Sequence, residues 1–176
     1  MRVTSFAPVV SSQARVLVLG TMPGIASLRA GEYYGHPRNA FWRIMAALGG
    51  ADPAAPYAER LRGLQQIGIA LWDVLAACER PGSLDTAIVA ASETPHDISG
   101  LLEAHPAITL ICLNGLKAAQ LFRRHVWPHL PPERRQRLVV ETLPSTSPAY
   151  TLPLPDKMEQ WRAAIAPFMG ALPIAT

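Results

Sequence analysis

Short apolar runs alternate with amphipathic segments along most of the chain. Four runs are rich in β-branched or other apolar residues and lead into loops, a pattern typical of buried strands. These predicted strands are residues 15–20, 67–75, 108–115 and 137–145. After the first strand, apolar residues recur at the i, i+3, i+4 and i+7 positions of a helix. They are Phe41, Ile44, Met45 and Leu48, and Gly49 and Gly50 follow them, so a helix is predicted over 40–48.

Helix patterns also follow the other predicted strands. One helix start is marked by a threonine cap, a proline at the first helical position and an acid in the first turn: Thr94, Pro95 and Asp97. We expect this helix to run to Glu103. Further helices are predicted over 58–66, 116–127 and 156–169. Four alternations of strand and helix predict an α/β fold, a three-layer α/β/α sandwich with a short, mainly four-stranded parallel sheet. The length of 176 residues favours a single domain over 1–176.

The polar and glycine- or proline-rich segments of the chain follow the predicted strands. They are 20–24 (GTMPG), 72–73 (WD), 114–115 (NG) and 143–148 (LPSTSP). The loop that leaves the first strand also contains GEYYGHPRNAFW, residues 31–42. Ligands bind at the carboxyl ends of parallel strands, so we expect these segments to form one site at that edge of the sheet.

Composition narrows the class of protein. Apolar residues make up 49% of the chain and charged residues 16%, which argues for a globular protein and against disorder. No apolar run approaches the ~18 residues that span a bilayer, and the first ten residues lack the apolar core of a signal peptide. We therefore expect a cytoplasmic protein with no membrane contact. Cys78 and Cys112 are too few to hold an iron–sulfur cluster, and we expect both to be reduced core residues.

The charge pattern favours a nucleic-acid partner without proving one. The net charge is +3, and all cationic side chains except Lys117 and Lys157 are arginines. Arginine binds phosphate in a bidentate way, although a GC-rich genome would also enrich arginine and alanine.

Several kinds of catalytic site are excluded by spacing. The GTMPG segment matches neither the GxxxxGK[ST] nor the GxGxxG nucleotide-binding pattern. The five histidines lack metal-ligand spacing, and no GxSxG turn surrounds Ser145 or Ser147. The remaining neutral polar groups, aromatic rings and proline-stiffened loops suit a planar, uncharged ligand and a water molecule activated by hydrogen bonding.

Six motifs occur in order between Val16 and Ala149: VLGTMPG, YYGHPRNAFW, GIALWDVL, ERPGSLD, LNG and LPSTSPA. Together they resemble the uracil-DNA glycosylase superfamily, most closely its DNA-deoxyinosine (hypoxanthine-DNA) glycosylase branch. Mismatch-specific uracil-DNA glycosylases carry a segment similar to HPRNAFW and are the nearest alternative. A catalytically inactive nucleic-acid-binding module is a further alternative, because Met22 stands where many members of the superfamily have an acid or asparagine.

The resemblance implies a monofunctional DNA glycosylase that flips a deaminated base out of DNA and hydrolyses its bond to the sugar. It implies a monomer acting on DNA that contains a deaminated base, with no metal and no cofactor. Asn39 matches the asparagine that this branch places at the catalytic water. The base-contacting residues implied are Thr21, Met22, Tyr33, Tyr34, His36, Phe41, Asp73 and Asn114. The DNA-contacting residues implied are Pro23, Gly24, Ser145, Thr146, Ser147, Pro148 and Tyr150.

Several of these residues also have an ordinary structural interpretation. Asn39 lies where the N-cap of the helix over 40–48 belongs. Helical spacing favours a core position for Phe41, and either Tyr33 or Tyr34 is then the ring that stacks on the base. Because Met22 cannot activate water, this role moves to Asn39 or to Asp73. Asp73 is also a candidate to accept the N1–H of hypoxanthine, or alternatively to anchor a loop.

Overall fold

Strands and helices alternate along residues 1–170, the part of the chain that the computed structural model describes. The strands are β1 (Arg2–Thr4), β2 (Val16–Gly20), β3 (Ile69–Asp73), β4 (Leu75–Glu79), β5 (Thr94–Pro95), β6 (Leu110–Asn114) and β7 (Val139–Leu143). The helices are α1 (Ile25–Ala30), α2 (Phe41–Ala47), α3 (Tyr57–Gln66), α4 (Ile98–Ala104), α5 (Leu116–His125), α6 (Pro132–Arg137) and α7 (Leu154–Ile165). Short 3₁₀ turns lie at Asp85–Ala87, Ala90–Ser92, Trp127–His129 and Ala166–Phe168.

The central sheet has four parallel strands in the order β3-β2-β6-β7. Every residue of β2 and β6 is buried, because helices cover both faces of the sheet. Alternate residues of β2 enter opposite cores: Leu17 and Leu19 pack on the side of α4 and α5, and Val16 and Val18 on the side of α2, α3 and α7. The predicted three-layer α/β/α sandwich with a four-stranded parallel sheet is confirmed.

A second sheet was not predicted. Its three antiparallel strands are ordered β1-β4-β5. The segment 67–75 was predicted as one strand, but the chain changes direction at Val74, whose N–H donates to Gly20 O at 2.8 Å. β3 therefore joins the parallel sheet, whereas β4 pairs with β1 through Arg2 and Glu79. Strands of two or three residues, such as β5 and β1, are too short to show the alternation that reveals a strand.

The predicted start of the fourth helix was also wrong. Thr94 and Pro95 form β5, and α4 begins three residues later. Its N-cap is Asp97, whose Oδ1 accepts a hydrogen bond from the Gly100 N–H at 2.9 Å. An aspartate is as good a cap as a threonine. A capped helix was therefore predicted correctly, but its cap was assigned to a residue three positions too early.

Other boundaries move by a few residues. α2 begins one residue later and α3 one residue earlier than predicted, whereas α5 and α7 end earlier and continue as 3₁₀ turns. β7 begins at Val139, because the preceding residues form α6. α1 was not predicted.

Cys78 and Cys112 are both free and buried, as expected. Within residues 1–170, no helix is both long and apolar enough to cross a bilayer.

Candidate active site

A cavity of about 490 Å³ opens at the carboxyl edge of the parallel sheet. Every residue that the sequence indicated for the site lines it, with the exception of Phe41. The carboxyl ends of β2, β3 and β6 form its base, and the loop over 145–150 forms one side. A further part of the lining comes from Ser83, Leu84, Asp85 and Thr86; the first three belong to the ERPGSLD motif, but none of the four was predicted as a site residue.

Gly20 and Asp73 lie side by side at the base of the cavity, because β2 and β3 pair in register there. A Cβ added to Gly20 would lie only 2.5 Å from Asp73 Oδ1 and 3.0 Å from the Tyr34 hydroxyl oxygen. The missing side chain of Gly20 thus lets a carboxyl group and a phenol approach each other over the strand end.

Asp73 is buried and held in one orientation. Ser5 Oγ donates a hydrogen bond to Asp73 Oδ2 at 2.6 Å. Burial raises the pKa of Asp73 to about 7; the Ser5 bond opposes this rise, and the nearby Asp85 adds to it. Near neutral pH the group therefore exists both as a carboxylate, which only accepts hydrogen bonds, and as a carboxylic acid, which can also donate one.

Asp73→Asn is expected to change how stability depends on pH. A carboxyl whose pKa is higher in the folded than in the unfolded state stabilises the fold fully below the unfolded value of about 4. That contribution is lost as the pH rises toward about 7. The unfolding free energy of the wild type should fall relative to Asp73→Asn by on the order of a few kcal/mol between pH 4 and pH 8, measured by urea titration.

The exposed Asp156 supplies the control for that comparison. Asp156→Asn leaves Asp73 in place, so its unfolding free energy should still fall between pH 4 and pH 8. Parallel curves for the wild type and Asp73→Asn would show that the Asp73 carboxyl is equally acidic in the folded and unfolded states.

Tyr34 is the aromatic ring that faces the cavity. Its φ of 53° is the one positive φ of a non-glycine residue among residues 1–170, a sparsely populated conformation that marks a constrained position. One face of the ring stacks on Phe41, with 4.1 Å between centroids and 25° between planes. The face turned away from Phe41 is therefore the one available to a planar ligand.

Phe41 and Tyr33 belong to the core rather than to the ligand surface. Phe41 is fully buried behind Tyr34, so the predicted contact between Phe41 and a base is corrected to a supporting role. Tyr33 reaches the cavity wall but is only 3% exposed, and its hydroxyl donates to Ala7 O at 2.8 Å. Phe6 packs against the Tyr33 ring edge to face. Of the two tyrosines, Tyr34 is the stronger candidate for stacking.

The Asn114 amide joins two walls of the cavity. Its Nδ2 donates to Tyr34 Oη at 3.1 Å and to Thr146 Oγ1 at 3.0 Å, and its Oδ1 accepts from the Thr146 N–H at 2.9 Å. Thr146 O in turn accepts from the Ala40 N–H at 2.9 Å. Both hydrogens of the Asn114 amide are thus engaged, and a base could receive one only if a present bond were broken.

The Asn39 side chain bonds to the first residue of α2, but the N-cap of this helix is Ala40, one residue after the predicted N-cap. Asn39 Oδ1 accepts from the Phe41 N–H at 3.0 Å, and the Asn39 N–H donates to His36 O at 2.9 Å. α2 formally begins at Phe41, one residue later than the predicted start, a difference within the normal uncertainty of helix ends. Because a carbonyl oxygen has two lone pairs, the bond to the Phe41 N–H leaves one free for a water molecule in the cavity.

His36 and Thr21 bring two further polar groups to the cavity. His36 Nδ1 accepts from the Arg38 N–H at 3.1 Å, so a neutral ring carries its hydrogen on Nε2 and can donate it to a ligand. Thr21 Oγ1 is buried and has no hydrogen-bond partner within the described part of the chain. Met22 is 7% exposed and offers only its apolar surface to the cavity.

The part of the cavity lining that was not predicted is held by Arg80. This arginine is fully buried, donates to Pro23 O and to Gly82 O, and lies 3.6 Å from the carboxylate of Asp85. Ser83 Oγ also accepts from the Ile25 N–H at 2.9 Å. These bonds tie the ERPGSLD segment to the GTMPG loop. The Pro-Gly pair signalled a turn, but a charged residue in a loop gives no sequence signal that it is buried.

The loop over 145–150, which also lines the cavity, is held by hydrogen bonds to its own serine hydroxyl groups. Ser145 Oγ accepts from the Ser147 N–H, and Ser147 Oγ accepts from the Ala149 N–H, each at 3.2 Å. Because these oxygens act as acceptors within the loop, the O–H hydrogens remain available to donate outward. Pro148 and the half-exposed Tyr150 complete the cavity edge.

Comparisons with known proteins agree on one family. The model of the uracil DNA glycosylase superfamily matches residues 7–167. A hypoxanthine DNA glycosylase from Methanosarcina barkeri is 37% identical over 68% of this chain and 75% of its own length. One from Methanosarcina acetivorans is 35% identical over 90% of this chain and 94% of its own. The NMR structure of a candidate uracil DNA glycosylase from Methanosarcina acetivorans superposes with a TM-score of 0.78 at 31% identity, covering 96% of this chain and 99% of that one.

Proposed function

The chain belongs to the uracil DNA glycosylase superfamily and is a DNA glycosylase, and we propose that the base it removes is hypoxanthine, cut from deoxyinosine by water. The names of the two relatives support this choice of base. The observation that carries the proposal is the cavity that brings together Tyr34, Asn39 and Asp73, a stacking ring, a water-orienting amide and a polar group for the base edge.

Stacking on Tyr34 offsets the cost of extruding the base. A base inside a duplex is inaccessible, and flipping it out costs a few kcal/mol. Stacking on an aromatic ring returns roughly 1–3 kcal/mol. Because Tyr34 is already held by Phe41 and Asn114, little further ordering of the ring is needed when the base arrives.

Asp73 suits the edge of hypoxanthine in both of its protonation states. As a carboxylate it accepts the N1–H of the base; as a carboxylic acid it can donate to a ring nitrogen or to the carbonyl oxygen. Breaking the bond to the sugar places negative charge on the departing base, which a protonated Asp73 would stabilise and a carboxylate would repel. The pKa of about 7 makes the protonated form accessible near neutral pH.

Asn39 is proposed to orient the water molecule. Its amide oxygen keeps a lone pair for water, but an amide cannot take a full proton at neutral pH. The chemistry therefore requires that the bond to the sugar be largely broken before water adds, when positive charge on the sugar makes a weak nucleophile sufficient. We propose that the donors at His36 Nε2 and Thr21 Oγ1 contact the base or the sugar; the bond that occupies His36 Nδ1 and the absence of another partner for Thr21 Oγ1 within residues 1–170 support these roles.

The reaction is proposed to stop at an abasic site. Cutting the DNA strand after base removal, the lyase step of bifunctional glycosylases, needs an amine that forms a Schiff base with the sugar. Lys117 is the second residue of α5, the ammonium of Lys157 is bound to two backbone carbonyls, and neither lysine lines the cavity. We further propose that the chain acts on DNA as a single-domain monomer without metal or cofactor, since one chain supplies every group that this mechanism uses.

A panel of oligonucleotides with one lesion each tests the proposal. The oligonucleotides contain deoxyinosine, deoxyuridine opposite guanine, or only normal bases as a control. Each is incubated with the enzyme with and without excess EDTA, and alkali is then added to cut abasic strands. We expect scission at inosine in every buffer, no scission before alkali, and no borohydride-trapped complex. Scission at uracil alone would identify a mismatch-specific uracil enzyme, and binding without scission an inactive module. Loss of activity in EDTA, restored by a divalent ion, would overturn the metal-free mechanism.

A further inference from the structure

Lys157 is a buried cation directly behind loop 145–150. The residue lies on α7 and is 4% exposed. Its Nζ donates to Ser147 O at 3.1 Å and to Tyr150 O at 2.7 Å, and lies 5.4 Å from the centre of the Tyr150 ring. The side chain thus joins both ends of the turn Ser147–Tyr150 to the last long helix.

The charge of Lys157 has no acidic partner. No ion pair within residues 1–170 includes this lysine, and its contacts are neutral carbonyls and an aromatic ring. Burial, with a smaller effect from Arg43, lowers the pKa of Lys157. A buried charge is costly unless it is fully hydrogen-bonded. Carbonyls satisfy the ammonium without cancelling its charge, so a positive potential remains at the back of the loop.

The front of the same loop presents hydrogen-bond donors to the cavity. Ser145 and Ser147 line the cavity, and both use their oxygens as acceptors inside the loop. Their O–H hydrogens are therefore free to donate to an anionic oxygen. Hydroxyl donors in front of an uncancelled positive charge are well suited to a phosphate group of DNA.

We propose that Lys157 is the positioning residue of the DNA-binding loop: it holds residues 145–150 in the conformation that contacts a backbone phosphate beside the flipped nucleotide, and it supplies the positive charge behind that contact. This inference rests on the proposed function. Lys157 does not act on the base or on the bond that breaks, because its side chain does not line the cavity.

Lys117 provides a matched control. It is the only other lysine of the chain, so Lys117→Met and Lys157→Met remove the same single charge from the protein. Lys117 lies 4.0 Å from Glu93, does not line the cavity, and has no hydrogen bond to loop 145–150 within residues 1–170. Methionine keeps most of the length and apolar volume of lysine. The dissociation constant for inosine-containing duplex and the single-turnover rate at saturating enzyme would be measured for both variants across a range of salt concentrations.

We expect Lys157→Met to weaken DNA binding by roughly tenfold, with the saturated excision rate changed by less than about threefold. The slope of log affinity against log salt should become less steep by up to about 0.9, the value for one phosphate contact. Lys117→Met should behave as wild type in both measurements. A mere loss of packing would not change the salt slope.

If Lys117→Met and Lys157→Met weaken DNA binding equally, the effect is one of overall charge and the proposal is overturned. Wild-type DNA affinity of Lys157→Met would also overturn it. If Lys157→Met does not fold, Lys157→Gln keeps a donor for the carbonyls without the charge. Wild-type affinity and salt slope in the glutamine variant would then overturn the electrostatic part. Affinity for undamaged duplex is measured in parallel to separate this proposal from the proposed function. A wild-type protein that binds DNA but does not excise hypoxanthine would refute the proposed function and leave the role of Lys157 in DNA binding intact.

Discussion

Asn39→Ser is expected to lower the single-turnover rate of hypoxanthine excision by roughly 10²-fold or more while the protein stays folded. Serine is nearly as good a cap as asparagine, so the bond to the Phe41 N–H should persist and the cost in stability should stay under ~1 kcal/mol. The shorter side chain cannot present an oxygen to the Phe41 N–H and reach the water at the same time. Melting temperature, DNA affinity and excision rate would be measured on one preparation.

Asp97 is a control for the bond to the helix, because its side chain accepts a hydrogen bond from a backbone N–H of the first turn of α4, as the Asn39 side chain does at α2. Asp97→Ser should show a similarly small loss of stability and an unchanged excision rate. Affinity for lesion DNA should change little in either variant, since the stacking ring and the loop remain. If Asn39→Ser excises hypoxanthine within a few-fold of the wild-type rate, Asn39 only stabilises the start of α2 and Asp73 becomes the leading candidate for orienting water.

Tyr34→Leu is expected to lower excision at limiting enzyme by roughly 10- to 100-fold, the equivalent of one lost stacking interaction. Leucine and tyrosine both carry a Cβ, so both bear the strain of the positive φ at this position and the comparison isolates the ring. Flipping can be followed with a fluorescent base analogue opposite or beside the lesion, which should report a smaller extruded fraction in the variant.

Tyr34→Phe separates the ring from its hydroxyl. This variant keeps the stacking surface and loses only the bond from Asn114 Nδ2, so its excision rate should fall much less than that of Tyr34→Leu. Tyr33→Leu should instead lower the melting temperature, because the Tyr33 ring packs in the core. A Tyr34→Leu enzyme with wild-type activity would move the stacking surface elsewhere in the cavity.

The location of the site could be predicted because it follows from strand order and from apolar pattern. The strands Val16–Gly20 and Leu110–Asn114 begin with uninterrupted apolar runs, so their direction and the edge at which they end could be inferred from sequence alone. Asn39 combined a cap position with a motif, and both interpretations pointed to the same residue. These features depend on residues that are close together along the chain, so they can be identified from a single sequence.

The contacts that complete the site could not be predicted in the same way. Arg80 and Lys157 are charged residues, a type that usually lies at the surface, yet both are buried and donate hydrogen bonds to backbone carbonyls. Ser5 reaches Asp73 from a segment 68 residues away. Tyr34 stacks on Phe41 from a backbone conformation with a positive φ, which no residue preference of tyrosine indicates.

The Asn114 side chain also makes the cavity depend on contacts that are distant along the chain. It bonds Tyr34, 80 residues earlier, and Thr146, 32 residues later, so the two walls are joined only when β6 and the segment after β7 are both in place. The Thr146 amide hydrogen is held by this side chain rather than by the β-sheet ladder. Its exchange with solvent deuterium therefore reports the opening of the cavity wall separately from global unfolding. A partly folded chain with an intact sheet could retain native secondary structure while lacking the site altogether.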